Sequence, residues 1–100
     1  MRIAVIVEGR TEEVFKPILR TFLERHLAGK MPNLDFVPQD GRVPKNAALR
    51  RLVSRLLDNG RNSADAVIAL TDIYTGTRDF TDAADAKSKM SAWVGNESRF

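Results

Sequence analysis

Two short apolar runs constrain the fold of this chain more than any other feature. Residues 3–7 and 66–70 are apolar throughout and lack the alternation of a strand that faces water on one side. Runs of this kind are typical of strands buried on both faces, in a parallel sheet that helices cover. They are far shorter than the roughly 18 apolar residues that a membrane-spanning helix needs. The runs therefore predict a small α/β domain.

The segments between these runs have the apolar spacing of amphipathic helices. The first helix is predicted to begin near Thr11, a suitable N-cap, with Glu12 and Glu13 in a first turn where the helix dipole favours acids. It should end near Gly29, and Pro17 is expected to kink it or to shift its start. Its apolar stripe consists of Val14, Phe15, Ile18, Leu19, Phe22, Leu23 and Leu27.

Weaker signals complete the predicted order of elements. A second strand is expected over residues 34–37, a second helix over 46–59 and a third helix over 82–94. The apolar face of the second helix consists of Leu49, Leu52, Val53, Leu56 and Leu57. The βαβαβα order predicts one domain over residues 1–100, with a mainly parallel, Rossmann-like sheet flanked by helices.

Composition excludes several classes of protein. With 43% hydrophobic and 29% charged residues, the chain is neither a disordered tail nor a low-complexity linker. The absence of cysteine excludes disulfide frameworks and zinc–thiolate sites, and no secretion signal is recognisable, so we expect a cytoplasmic protein. His26 is the single histidine and lies on the first predicted helix, away from the strand ends, which argues against Ser–His or Cys–His catalysis.

Positive charge is concentrated in the middle of the chain. Residues 41–62 carry six basic side chains against Asp58 alone, whereas the whole chain has a net charge of +3. Arg50, Arg51 and Arg55 fall outside the apolar face of the second predicted helix, so they should point to solvent. Such a group can attract the phosphates of nucleic acid. A solvated helix face is the alternative interpretation of the same charges.

Acidic residues follow both strong strands at the point where each strand ends. Glu8 closes the first run and Asp72 follows the third strand, while Glu12 begins the next helix and Asp79 lies in the loop after Asp72. Because ligands of open parallel sheets bind beyond the carboxyl ends of the strands, these four carboxylates should converge on one edge. Hard oxygen ligands of this kind suit Mg²⁺ or Mn²⁺.

Most of these acids also have a structural interpretation. Glu12 can complement the helix dipole, Asp72 can be a turn or capping residue, and Asp79 can cap the third helix or stabilise the loop before it. Glu8 is harder to explain in this way, because an acid that closes a fully apolar strand has little use in packing. The four together form a more specific pattern than any one member.

Two segments carry a resemblance to a known family. Val7-Glu8-Gly9-Arg10-Thr11-Glu12, between an apolar strand and an amphipathic helix, resembles the Glu-Gly-x-Ser/Thr-Glu signature of TOPRIM domains. These occur in topoisomerases, primases and nucleases of the overcoming-lysogenisation-defect type, where a strand-end Glu and a later Asp-x-Asp bind Mg²⁺ for phosphodiester chemistry. Thr71-Asp72-Ile73-Tyr74 through Asp79-Phe80 resembles one branch of them, a bacterial family associated with ATPases and phage defence.

The resemblance implies a role for each matching residue. Glu8 and Asp72 would be the catalytic carboxylates, with Glu8 acting as a metal ligand or general base. Glu8, Glu12, Asp72 and Asp79 would hold Mg²⁺ or Mn²⁺. Arg10, inside the first motif, would either steady a phosphate or be a plain surface residue. Apart from the resemblance, the charge of Arg50, Arg51 and Arg55 on the second helix would provide contact with nucleic acid. The site would then hydrolyse phosphodiesters with water activated by the metal.

The chain departs from the family pattern in two places. The Asp-x-Asp motif reads Asp72-Ile73-Tyr74, so one ligand is missing unless Asp79 replaces it. In the family, another strand and a His-x-Phe-Glu segment would follow Phe100. We therefore expect residues 1–100 to be the N-terminal part of a longer protein, truncated at its C-terminus and inactive by itself. An open sheet edge would then favour a homo-oligomer.

The first functional hypothesis is a Mg²⁺-dependent nuclease-like domain of the TOPRIM type. It would act on nucleic acid, DNA rather than RNA, and would not bind a membrane. Its partner would be an ATPase in phage defence. The alternative is a non-catalytic module that binds nucleic acid or protein, with a vestigial acidic site and a docking helix rich in arginine. A phosphoacceptor domain of the receiver type fits poorly, because its first strand should be followed by paired acids rather than by Glu8 and Gly9.

Overall fold

Three strands and three helices alternate along the residues that the computed structural model describes, which are 1–9, 11–27, 32–39, 42–71 and 79–100, with side chains of the first helix from Lys16 onward. The strands are β1 (Arg2–Val7), β2 (Asn33–Pro38) and β3 (Ala66–Ala69). The helices are α1 (Thr11–His26), α2 (Asn46–Leu57) and α3 (Ala83–Trp93), with a 3₁₀ turn at Gly60–Asn62. Within these described ranges, no helix is long and apolar enough to cross a membrane.

β1 is the central strand of a parallel sheet with the order β2–β1–β3. Val7 is paired with Pro38 on one side, and Ile6 with Ala69 on the other. Because β1 has a neighbour on each side and helices on both faces, its residues from Ile3 to Val7 are all buried. The prediction of a small α/β fold, with a parallel sheet flanked by helices, is confirmed.

The helices lie on opposite faces of this sheet. The chain moves from β1 to β2 in one direction and from β2 to β3 in the other, so right-handed crossovers put α1 and α2 on opposite faces. On one face, Leu19 of α1 packs with Ile3, Val5 and Val7. The other face holds the larger described core, which consists of Ala4, Ile6, Val43, Leu49, Val53, Leu57, Ala64, Val67, Met90 and Val94.

The predicted apolar stripes of α1 and α2 are buried to different extents. α2 buries Leu49, Val53 and Leu57 as its spacing predicts. The described part of the α1 stripe is only partly buried, because Ile18 is 60% and Phe22 55% exposed. α1 also runs through Pro17 without a shift of its start.

The first turn of α3 is held by polar contacts. Asp82 is the N-cap, and its carboxylate accepts a hydrogen bond of 2.7 Å from the Asp85 N–H. In return, the Asp85 carboxylate accepts a hydrogen bond of 3.0 Å from the Thr81 N–H and lies 3.0 Å from the Lys89 Nζ. The interpretation of Asp79 as the cap of this helix is therefore wrong, because Asp82 takes that position.

Candidate functional site

The carboxyl ends of β1 and β3 form a crevice at the point where the chain connections diverge. From β1 the chain leads to β2 on one side, while β3 occupies the other side. Ligands of open parallel sheets bind at such a point, because loops that leave neighbouring strands in opposite directions open a gap between them. The crevice is lined by Glu8, Arg42, Val43, Pro44, Lys45, Thr71, Asp79, Phe80, Met90 and Trp93.

Glu8 is the first residue after β1 and is half-buried. Its Oε1 accepts a hydrogen bond from the Thr71 hydroxyl, which lies just beyond β3. Gly9 has a φ of +113°, a conformation that residues with a side chain rarely adopt, so the chain can turn away directly after Glu8. The end of the strand and this turn together hold the carboxylate in the crevice.

Asp79 reaches the same crevice from the segment that precedes α3. Its Oδ1 lies 2.7 Å from the Lys45 Nζ, and its Oδ2 lies 3.9 Å from an Arg42 guanidinium nitrogen. The hydrogen bond from Lys45 lowers the pKa of Asp79 below the ordinary aspartate value, and the charges of Lys45, Arg42 and Lys89 lower it further. The Asp79 carboxylate is therefore an ionised group with cationic partners.

The backbone at Asp79 is attached to α3. The Lys89 Nζ donates a hydrogen bond of 2.9 Å to the main-chain oxygen of Asp79. The next residue, Phe80, packs on Trp93 with 5.8 Å between ring centroids. These contacts involve the main-chain oxygen of Asp79 and its neighbour Phe80, so a stabilising role of the Asp79 side chain in the loop before α3 stays a prediction. α3 consequently fixes one side of the crevice, and the segment before α2 supplies the cations of the other side.

The crevice is narrow. Its cavity volume is about 20 Å³, close to the space that one water molecule requires. A small cation or one oxygen of a phosphate group fits such a space, whereas a nucleobase does not. The apolar wall formed by Met90 and Trp93 would strengthen any charge interaction inside it, because it keeps water from that side.

The structure brings two of the four predicted carboxylates together. Glu8 and Asp79 both line the crevice. Glu12 lies in the first turn of α1, but its side chain lies outside the described residues. Asp72 and Arg10 also lie outside the described residues, so their predicted roles stay predictions.

The three arginines of α2 form a separate surface. Arg50, Arg51 and Arg55 are exposed on the outer side of the helix. The ion pairs found between described residues include none of the three. None of the three is among the residues that line the crevice.

Sequence reasoning missed the roles of Lys45, Arg42 and Thr71. The charge pattern includes the first two only as members of a basic segment, and Thr71 enters only as the first residue of the second motif, with no role in a site. The rule that drew attention to Glu8 could have found them, because Thr71 follows β3 and Arg42 and Lys45 lie between β2 and α2. Their pairing with Glu8 and Asp79 has no local sequence signal.

The donor set of the crevice suits a hard cation. Mg²⁺ is usually held by one or two carboxylates with water and phosphate oxygens, which Glu8 and Asp79 could supply once Asp79 has exchanged Lys45 for the metal. Among the side chains that the structure describes, no three His, Asp or Glu residues are grouped closely enough to hold a metal ion. Glu12 and Asp72 remain the predicted additional ligands.

Comparisons with protein-family models, with curated proteins and with solved structures find no match for this chain. Its function must therefore be inferred from the residues of the crevice and from the resemblance of its two motifs. Both motifs reach the crevice, the first through Glu8 and the second through Thr71 and Asp79.

Proposed function

We propose that this chain is a TOPRIM-type domain for Mg²⁺-dependent cleavage of phosphodiesters in nucleic acid, DNA rather than RNA. The observation that supports this proposal best is the hydrogen bond between Thr71 and Glu8 at the carboxyl ends of β3 and β1. The bond joins two motifs that lie 63 residues apart in the chain and resemble the same family. An ATPase partner and a role in phage defence belong to this proposal through the resemblance alone.

The environment of Glu8 suits a ligand better than a packing residue. Its carboxylate is half-buried at the end of a fully buried strand, where an apolar side chain would pack better. Its described polar partner is the neutral Thr71 hydroxyl, and none of the ion pairs found between described residues includes Glu8. A carboxylate in this position can bind a cation without losing an existing charge partner.

The proposed reaction gives a role to Thr71 and to each of the four predicted carboxylates. Glu8 binds the metal or accepts the proton of the attacking water, and the Thr71 hydroxyl orients the Glu8 carboxylate. Glu12, Asp72 and Asp79 are the other proposed ligands, of which Asp79 must first release Lys45. Mg²⁺, when bound, supplies a positive charge that stabilises the developing negative charge on phosphate and lowers the pKa of water.

The substitution Glu8→Gln tests this proposal. The amide oxygen of Gln can still accept the hydrogen bond from Thr71, so the melting temperature should stay the same or rise slightly, as repulsion between carboxylates is relieved. Divalent-metal binding should weaken, because the anionic ligand is lost. The measurement is a Mn²⁺ titration followed by paramagnetic broadening of amide NMR signals, which does not require turnover.

Glu24→Gln is the matched control, because Glu24 is an exposed glutamate on α1 and does not line the crevice. It should leave the broadening near Glu8, Thr71 and Asp79 unchanged. Equal broadening in Glu8→Gln and in the unmodified chain, or broadening scattered over surface acids, would contradict the proposal.

A second candidate function is a non-catalytic module that binds nucleic acid. The observation that favours it is the exposed surface of Arg50, Arg51 and Arg55, together with an Asp79 whose charge is already balanced by Lys45. In this case the crevice is vestigial and α2 contacts the phosphates of the nucleic acid. The salt dependence of binding would then depend on these arginines.

Reversal of all three arginines to glutamate tests the second candidate. It should weaken binding to a DNA duplex and flatten the slope of log affinity against log salt by about three. The matched control reverses three exposed cations elsewhere, namely Arg20, Arg25 and Lys87. Equal losses in the two triple variants would indicate net charge alone and remove α2 from the interface.

A further inference from the structure

The cations of the crevice are held by an internal anion. Lys45 and Arg42 precede α2, whereas Asp79 precedes α3, and 34 residues separate Lys45 from Asp79. The carboxylate of Asp79 interacts with both cations at once, at 2.7 Å and 3.9 Å. Two cations arranged around two carboxylate oxygens are also arranged to bind two oxygens of a phosphate group.

The side chains of the two cations are less confined than Asp79. The backbone of Asp79 is held by Lys89 and by the packing of Phe80 on Trp93. The cations are less confined, because the side chain of Lys45 is 45% and that of Arg42 67% exposed, against 24% for Asp79. Lysine and arginine can therefore leave the carboxylate and follow another anion without disturbing the core.

Replacing Asp79 by a phosphate as the partner of Lys45 and Arg42 requires little free energy. An ion pair that water can reach is weak, since both charges are solvated when they separate. A phosphate group that meets the exposed side chains of Lys45 and Arg42 at the mouth of the crevice offers the same oxygen acceptors with equal or greater charge. Glu8 lies in the same crevice and opposes any anion there, so the affinity of the unmodified chain for phosphate should be low.

We propose that Lys45 and Arg42 form a phosphate subsite of the crevice and that Asp79 occupies this subsite as an internal counter-ion until a phosphate group displaces it. The inference takes its substrate class from the proposed function. It adds the residues that recognise the phosphate, and it assigns to Asp79 a competitive role in the metal-free protein. Asp79 would then be available as a ligand when phosphate has taken its cations.

The test is a phosphate titration of the metal-free chain at constant ionic strength, followed through the amide NMR signals of Lys45 and Phe80. Asp79→Asn should tighten the apparent dissociation constant by about three- to ten-fold, because a competing anion is removed. Asp35→Asn is the matched control, since Asp35 also pairs with a cation, Arg2, but does not line the crevice. It should change the constant by less than about two-fold.

Three further variants test the role of Lys45. Lys45→Gln should abolish saturable binding, and adding Asp79→Asn to it should restore little. Lys45→Arg should retain binding, since it keeps the charge. Lys45 is exposed at the start of α2, outside the core, so its substitution should leave the fold intact, and the NMR spectra report the folded state directly. Lys87→Gln controls for the loss of one positive charge on the surface.

The outcomes separate clearly. Equal tightening by Asp79→Asn and Asp35→Asn would overturn the inference in favour of a net-charge effect. So would the absence of saturable binding in Asp79→Asn. A short oligothymidylate in place of phosphate distinguishes a backbone phosphate from a free one, and both are compatible with the subsite. Because no metal is present and Glu8 is not altered, failure here is distinguishable from failure of the metal titration that tests the proposed function.

Discussion

The two helices that cover β1 from opposite faces bury their apolar side chains differently. α2 directs Leu49, Val53 and Leu57 into the core. α1 buries Leu19, yet Ile18 and Phe22 remain more than half exposed on the same helix. Both helices have apolar residues at helical spacing, so the difference does not come from the spacing itself.

The difference comes from what each helix contacts. α2 shares its face of the sheet with α3, whose Met90 and Val94 join the same core. α1 packs on its face through Leu19 and the half-buried Leu23, and the described residues place no second helix beside it. The crevice lies on the α2–α3 side, since Lys45 precedes α2 and Trp93 ends α3. The better-packed side therefore supports the candidate site.

The largest effect should come from Leu49→Ala on the α2 side. Leu49 is completely buried, so its truncation removes apolar contacts and leaves a cavity next to β1. We expect the free energy of unfolding to fall by about 3 kcal/mol in urea denaturation. A loss under about 1 kcal/mol would indicate that this core is loosely packed and would break the comparison.

Leu19→Ala on the α1 side should cost less, about 2 kcal/mol in the same denaturation experiment, because its neighbour Leu23 is only half-buried. Ile18→Ala, one position away on the same helix, is the matched control. With Ile18 60% exposed, the free energy of unfolding should change by less than about 0.5 kcal/mol. Similar costs at the two positions would mean that the exposed stripe is covered in solution.

Asp82→Ala should destabilise α3 by about 1 kcal/mol, because the N–H of Asp85 loses its capping acceptor. Asp82→Asn keeps an acceptor oxygen and should recover most of this loss. Thermal unfolding of the two variants measures the difference. An equal loss in both would show that the charge of Asp82, rather than its hydrogen bond, stabilises the helix.

Lowering the pH should produce the smallest of these effects on stability, and it should act on the α2–α3 side as well. The hydrogen bond from the Thr81 N–H, followed by that from Lys89, lowers the pKa of Asp85. A lowered pKa in the folded state means that this stabilisation is complete above about pH 4, the ordinary aspartate range, and is lost as pH falls through the lowered value. Asp85→Asn should therefore flatten the decline in melting temperature below pH 4, whereas a parallel decline would contradict this assignment.

Much of the fold could be predicted from local patterns. The unalternating run of residues 3–7 predicted a strand buried on both faces, and β1 is such a strand. The same prediction for residues 66–70 was wrong, because β3 lies at the edge of the described sheet and is mostly half-buried. The spacing in α2 predicted the buried face of that helix correctly. The burial of α1 could not be predicted in the same way, since exposure of Ile18 and Phe22 depends on what packs beside the helix.

The candidate site could be predicted in outline. Glu8 could be identified because it directly follows an apolar run, and the end of such a run marks the carboxyl end of a strand. The convergence of Glu8 and Asp79 on one crevice agrees with that reasoning. The ion pairs of Asp79 with Lys45 and Arg42 were not predicted, because each partner lies in a different loop and no short motif links them.

The sequence alone indicated that β1 is buried on both faces and that an acid stands at its end, because the apolar run and the acid after it are consecutive residues. Only the tertiary structure decided which groups meet that end. The order β2–β1–β3 brings Thr71 to Glu8 across 63 residues, and it brings Lys45 to Asp79 across 34. Contacts over such distances depend on strand order and helix packing, and these arise from the cooperative burial of the whole core rather than from any local pattern.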